Sequence, residues 1–430
     1  MEDFSTVLTM GVACGGATSF DSHTGEAHIH RRPADCNHLG RAKDSAWRMQ
    51  NHQSIARVCG TGGLSGSNRT GKQDWQTELD NRTGQQDYAM GEYDVERYAT
   101  IVGTGIYLPE IEVSNASLAE HFEKVMPGAG MDVVIGKFEA ATGIRRRWYA
   151  PRDWATSDLA VRAGRQALHA AGLDPRDIDL IILGTDSPDY ITPATSVVVQ
   201  YELGARNAGT YDVGCACASF PTAVAAAAGQ LVTNTWMKYV LVIGAYMMSK
   251  LAAHDDVTRF YYGDGAGAAV MTVDTKPGFL TASYNADGSY HRNWGIYSGG
   301  TFEPATCESV QAGRTQVRFV DKYPPEVNHE GWPKIVRHLA KRGGFQLDDI
   351  DMAIFTQVRL ASIRVVMEDL GLPLEKTHWI MEDWGYTGSA CVPMALDDAV
   401  RKGRIHSGDL VVLVGSGVGY NQAGVALRMP

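Results

Sequence analysis

Leu173-Asp-Pro-Arg-Asp-Ile-Asp-Leu-Ile-Ile-Leu-Gly-Thr185 returns later in the chain as Leu347-Asp-Asp-Ile-Asp-Met-Ala-Ile-Phe-Thr356, with the shared Asp-Ile-Asp displaced by 172 positions. Each copy is an acidic turn running into a short apolar strand. A second pair lies at almost the same offset: Lys238-Tyr-Val-Leu-Val-Ile-Gly-Ala245 and Asp409-Leu-Val-Val-Leu-Val-Gly-Ser416, 171 apart. Two matches at nearly one spacing indicate an internal duplication. Helical patterns alternate with the strands, predicting an α/β fold. The periodicity predicts helices over 157–171, closed by Gly172, and over 217–232. It predicts strands at 180–184, 239–244, 352–355 and 410–414, and the run Thr100–Pro109 reads as a further strand ending in a loop. Two similar halves, 99–273 and 274–430, follow, with a site expected where strand ends and helix N-termini of both converge.

Outward from the duplication, residues 1–98 have another texture. Only 12 of these 98 are Val, Ile, Leu or Phe, too few for a core, so the segment reads as a disordered or mis-started N-terminal extension. His23, His28, His30, Cys36 and His38 fit no standard zinc spacing. Gly60–Gly66 is glycine-rich, but no strand precedes it, so it reads as linker. Asn68 and Asn81 open glycosylation tripeptides that matter only in a secreted chain. The whole chain of 430 residues carries a net charge of -10, which argues against nucleic acid or an anionic membrane as partner. The alanine-rich stretch 223–232 is short for a membrane span, and Met1-Glu-Asp3 does not open a signal peptide. Seven cysteines, an odd number, suggest no disulfide scaffold. A cytoplasmic enzyme is the expectation.

Thr210-Tyr-Asp-Val-Gly-Cys-Ala-Cys-Ala-Ser-Phe220 reads as strand, glycine turn and helix start. A thiol at a helix N-terminus has its pKa lowered by the helix dipole, and backbone N–H groups there can hold an oxyanion. Cys217 is therefore either a nucleophile or a small buried residue, and the local sequence leaves both open. Cys215 points elsewhere, and Cys307 and Cys391 read as packing.

Five motifs, Val102-Gly-Thr-Gly-Ile-Tyr-Leu-Pro109, Thr142-Gly-Ile-Arg145, Cys217-Ala-Ser-Phe220, Tyr262-Gly-Asp-Gly-Ala-Gly-Ala-Ala269 and Gly403–Gly419, together resemble type III ketoacyl-acyl-carrier-protein synthases of the thiolase superfamily. The resemblance implies two duplicated α/β halves in a layered αβαβα core, a homodimer, no bound cofactor or metal, and coenzyme A or acyl-carrier-protein thioesters as substrates. It implies that Cys217 accepts the acyl group before attacking a malonyl-carrier carbanion, and that the backbone of Val418 completes the oxyanion hole. The family's His and Asn helpers fall on Thr356 and Tyr386, which puts decarboxylation in doubt. Their hydroxyls could form a replacement oxyanion site, or His329, in Val327-Asn-His-Glu-Gly-Trp332 beside Asn328, could act as base. His254 reads as a loop residue and His378 as a strand residue. The family's coenzyme A contacts fall on Lys137, Ala141 and Ala361, leaving Lys137, Arg145, Arg146 and Arg359 as substitutes and hinting at a carrier-bound donor. Thr192, in the loop 189–193 that crosses the family's dimer interface, stands where a bulky aromatic is common and suggests a longer acyl group.

The expected activity is a ping-pong acyltransferase or condensing enzyme of fatty acid or polyketide metabolism. Its alternatives are acyl transfer to an alcohol or amine without decarboxylation, and a non-catalytic partner subunit of a related synthase.

Overall fold

The computed structural model describes residues 96–430. The readings made for the N-terminal extension, including its histidine cluster, glycine-rich stretch and glycosylation tripeptides, lie outside the described residues.

Nine strands build two sheets. Strands β1 (Tyr98–Tyr107), β2 (Leu180–Gly184), β3 (Gly209–Val213), β4 (Val240–Tyr246) and β5 (Gly265–Asp274) form the first, in the order β1-β5-β4-β2-β3. Strands β6 (Phe279–Ala286), β7 (Met352–Phe355), β8 (Leu410–Gly417) and β9 (Asn421–Arg428) form the second, in the order β7-β8-β9-β6. Strand β2 runs parallel to β3 and β4, and β7 runs parallel to β8. Strands β1 and β5, like β6 and β9, complete their sheets in antiparallel fashion.

Five helices complete the layers: α1 (Thr156–Ala171), α2 (Thr195–Leu203), α3 (Ser219–Thr233), α4 (Gly331–Gly343) and α5 (Cys391–Arg401). Helices α3 and α5 pack against both sheets, α1 covers the far face of the first, and α4 covers the far face of the second. This is the αβαβα layering of the thiolase fold. Ala216–Thr233, comprising α3 and its preceding turn, is long and apolar enough to cross a membrane, and here it is mostly buried between the sheets.

The repeated Asp-Ile-Asp has a physical role in each copy. Its first aspartate closes a short 3-10 turn: Asp177 accepts from the Asp174 N–H at 2.9 Å, and Asp349 from the Gln346 N–H at 2.8 Å. The second aspartate ties the start of the neighbouring parallel strand. Asp179 accepts from the N–H groups of Lys238 and Tyr239 at 2.7 and 3.1 Å, and Asp351 from Leu410 at 2.8 Å. A strand N-terminus has backbone donors that no ladder partner takes, and these carboxylates satisfy them.

The predicted strands at 180–184 and 352–355 coincide with β2 and β7. The helix predicted from residue 217 opens instead at Ser219, because residues 216–218 form a separate 3-10 turn. His254 lies in a turn, as expected. His378 is not in a strand: its buried ring bonds Asp398 at 2.7 Å and Arg404 at 2.9 Å. Cys391 is buried, whereas Cys307 is exposed at the start of the short helix Cys307–Gln311 rather than packed.

Replacing Asp179 by alanine strands two backbone donors and should lower unfolding free energy by about 1–2 kcal/mol. Asp351→Ala, which frees one donor where Asp179→Ala frees two, should cost less. Urea denaturation of both variants measures the difference, and two unchanged midpoints would contradict the tie.

Candidate active site

Strand β3 leads into the turn that carries Cys217. Ser219 Oγ accepts from the Cys215 N–H at 2.9 Å, and the Ala218 N–H reaches back to the Cys215 carbonyl at 3.0 Å. Between them Ala216 adopts φ 47°, in the left-handed region that costs a residue with a Cβ about 1–2 kcal/mol. That strain needs an external hold, and β8 supplies it. A Cβ at Gly417 would be driven into the Cys215 carbonyl, and one at Gly415 would strike the Cys217 carbonyl and Ala218. Only glycine at both places lets the strand lie on the turn.

Cys217 is 2% exposed, and its Sγ is in hydrogen-bond contact with the Tyr386 hydroxyl. Tyr386, 5% exposed, is clamped by backbone bonds on both sides: its N–H donates to Tyr261 O at 2.8 Å and its carbonyl accepts from Gly263 N–H at 2.9 Å. Its ring lies 6.0 Å from that of Tyr246, which lies 6.5 Å from Tyr262. The Tyr262 hydroxyl accepts from the Trp294 indole at 3.0 Å.

Burial pushes the Cys217 thiol well above its ordinary value, and the charge of Asp186 pushes it further, while the Tyr386 bond pulls it down. The thiol pKa is therefore raised, not lowered as expected from a helix N-terminus: Cys217 lies in a 3-10 turn ahead of the α-helix, and desolvation outweighs the helix end. Burial likewise raises Tyr386, Tyr246 and Tyr262, and lifts Cys391 to about 12. Asp186, two residues past β2, retains partial exposure by area, yet burial raises its carboxyl to about 6. Its Oδ1 accepts from Ser389 Oγ at 2.7 Å. Asp186, Ser389 and Tyr246 escaped the sequence reading. The signal for Asp186 was an acid at the C-terminal end of a buried parallel strand, where α/β sites collect.

The structure brings Tyr386 to Cys217 but gives Thr356 another partner. Thr356 Oγ1 accepts from the Ser416 N–H at 2.8 Å, tying the end of β7 to the glycine strand. Val418 opens the turn directly after Gly417. Asn328 Oδ1 accepts from Ser416 Oγ at 2.9 Å, holding its segment to β8. His329 Nε2 pairs with Ser362 Oγ at 3.1 Å, and burial together with Arg359 keeps its pKa below the usual histidine value. Arg359 is exposed at the head of the helix Leu360–Asp369. Thr192 is exposed at the loop tip beside Ile191, outside the buried cluster. Arg145 bonds Asp383 at 3.2 Å, and Arg146 reaches Asp383 and Glu112 at 3.3 and 3.4 Å.

Two family models match: 3-oxoacyl-[acyl-carrier-protein] synthase III over residues 211–288 and its C-terminal region over 340–429. The chain is 35% identical over 337 residues to the beta-ketoacyl-[acyl-carrier-protein] synthase III of Methylococcus capsulatus, covering 78% of this chain and all of that protein. Among solved structures, the priming β-ketosynthase of the R1128 polyketide pathway is 30% identical with a TM-score of 0.69, covering 78% of this chain and 97% of that one. The 3-oxoacyl-(acyl carrier protein) synthase III of Pseudomonas aeruginosa is 28% identical with a TM-score of 0.68, over 77% and 98%.

Alkylation of Cys217 by iodoacetamide, followed by peptide mass mapping, should keep rising through pH 9, because the thiolate fraction grows with pH until the raised pKa is passed. Tyr386→Phe removes the one hydroxyl that stabilises the thiolate and should slow labelling roughly tenfold at pH 8. A labelling curve levelling below pH 8 would contradict the burial argument.

Proposed function

The chain belongs to the 3-oxoacyl-[acyl-carrier-protein] synthase III family, and from that membership we propose that it works through an acyl-Cys217 thioester. It is a condensing or acyl-transferring enzyme of fatty acid or polyketide metabolism. In the first half-reaction Cys217 Sγ attacks the thioester carbonyl, and the N–H groups of Cys217 and Val418 receive the oxyanion. Collapse then releases the donor thiol. The observation that carries this reading is the contact of Cys217 Sγ with Tyr386 beneath the glycine strand, a buried nucleophile with one positioned donor.

The donor we infer is carrier-bound. Arg145 and Arg146 are engaged by Asp383 and Glu112, which leaves them poorly placed for the phosphates of coenzyme A. The second half is condensation with a malonyl carrier in the family. Transfer to a hydroxyl or amine is the alternative, because Thr356 and Tyr386 stand where the family has its His and Asn; Thr356 Oγ1 accepts from the Ser416 N–H and keeps its O–H as a donor.

Intact-protein mass after incubation with acyl-carrier and acyl-coenzyme A donors should show an adduct, larger from the carrier, that disappears in Cys217→Ala. No adduct from any donor would return the protein to a non-catalytic role.

The pairing of two copies through the loop around Thr192 belongs to the same proposal. Ile191 and Tyr201 are 81% and 79% exposed there, apolar area that a second copy would cover. Light scattering should give twice the chain mass, falling to one in a Tyr201→Glu variant.

A further inference from the structure

Asp186 has no part in the reading above, yet the fold takes trouble to place it. The Thr185 N–H bonds the Val213 carbonyl at 3.2 Å, fixing the exit of β2 beside the strand that leads to Cys217. Ser389, which donates to Asp186, sits in the 3-10 turn Gly388–Ala390 that follows Tyr386. The carboxylate thus lies at the seam where the nucleophile turn, the Tyr386 loop and the end of β4 meet. The titratable groups facing it are Cys217, Cys391, Tyr246 and Tyr262. All four hold their protons at neutral pH. Asp186 as a residue is less buried than Cys217, while its carboxyl is desolvated at the seam.

We propose that Asp186 is the catalytic base of the second half-reaction, and that the acyl acceptor is therefore a molecule bearing a hydroxyl or amine. The inference rests on the acyl-Cys217 reading and deepens it. As the acceptor O–H or N–H attacks the acyl carbonyl, its proton passes to the Asp186 carboxylate. The new C–O or C–N bond forms, the C–S bond breaks, and the electron pair stays on Cys217 Sγ, where the Tyr386 hydroxyl receives it. Asp186 then returns the proton to the thiolate, whose high basicity in this site favours the transfer. Atoms and charge balance with no further reactant. A carboxylate at this seam suits decarboxylative condensation poorly, since it repels both the malonyl carboxylate and the enolate.

The test starts from preformed acyl-Cys217 enzyme and follows loss of the adduct by intact mass, with glycerol as hydroxyl probe, ethanolamine as amine probe, and malonyl-carrier protein for comparison. In the wild type, transfer to glycerol should rise with pH through about 6 and then level, because the base form of Asp186 is the active one, whereas transfer to ethanolamine should go on rising as its ammonium loses its proton. Asp186→Asn keeps an oxygen for Ser389 and should transfer on the order of 100-fold more slowly with no pH step. The same variant should alkylate faster with iodoacetamide, since removing the negative charge eases thiolate formation. A clamp without proton transfer would not produce these opposite signs. A wild-type rate of transfer to glycerol that is flat between pH 5 and 8 overturns the proposal without any variant. So does a normal transfer rate in Asp186→Asn, or release of the acyl group only into malonyl carrier. Failure of the wild type to form any adduct would instead overturn the acyl-Cys217 reading itself.

Discussion

The close approach of β8 to the Cys215–Ala218 turn is the constraint on which the site depends. Backbone meets backbone there because positions 415 and 417 carry no side chain. The contact holds Ala216 in its left-handed conformation, and so fixes where Cys217 points. It also places Ser416 between Thr356 and Asn328, whose bonds fasten the strand from either side. The first sheet supplies the Cys217 turn and the second supplies the strand that covers it. Either sheet alone would leave a strained turn with nothing to hold it.

Sealing the turn decides the electrostatics. A helix N-terminus contributes 0.3–1 kcal/mol toward an anion, and about 2 in favourable cases. Full burial shifts a titratable group by up to about 3–5 pKa units, at about 1.4 kcal/mol each. Desolvation therefore wins by a wide margin, and the resting thiol is protonated. The same burial explains why a phenol stands beside it. Tyr386 is held by Tyr261 and Gly263 through its backbone, so its hydroxyl reaches the sulfur without a rotamer search when charge develops.

The elements that could be read in the sequence are those whose cause is local. The duplicated Asp-Ile-Asp announces itself because a strand start needs acceptors within a few residues, and the apolar strands follow from burial on both faces. Cys217 stood out as a candidate nucleophile through its glycine turn and the family motifs around it. What escaped depends on residues far apart. The 3-10 start at Ala216 follows from β8, two hundred residues later. The Ser416 N–H that Thr356 Oγ1 accepts comes from a strand 60 residues later, so nothing near Thr356 in the sequence announces it. Asp186 and Ser389 meet only when the two sheets are assembled, so no spacing between them exists to be noticed.

The cluster divides its groups by proton affinity, which is the property an acid–base site requires. Burial moves every ionisable group toward its neutral form, so thiol and phenols retain protons while the carboxyl rises only into the range near neutrality. One environment thereby leaves the carboxyl of Asp186 able to accept a proton at pH 7 beside a thiol and phenols that hold theirs; Asp264, the other carboxyl acting on Tyr246, is likewise raised to about 6 and is bonded to Ser249 and Ala150. An imidazole would have answered the same burial in the opposite sense, losing affinity for its proton. The raised carboxyl still lies well below the thiol and the phenols in proton affinity. That interval gives a proton a direction in which to move: from an incoming acceptor to Asp186, and from Asp186 to the departing sulfur.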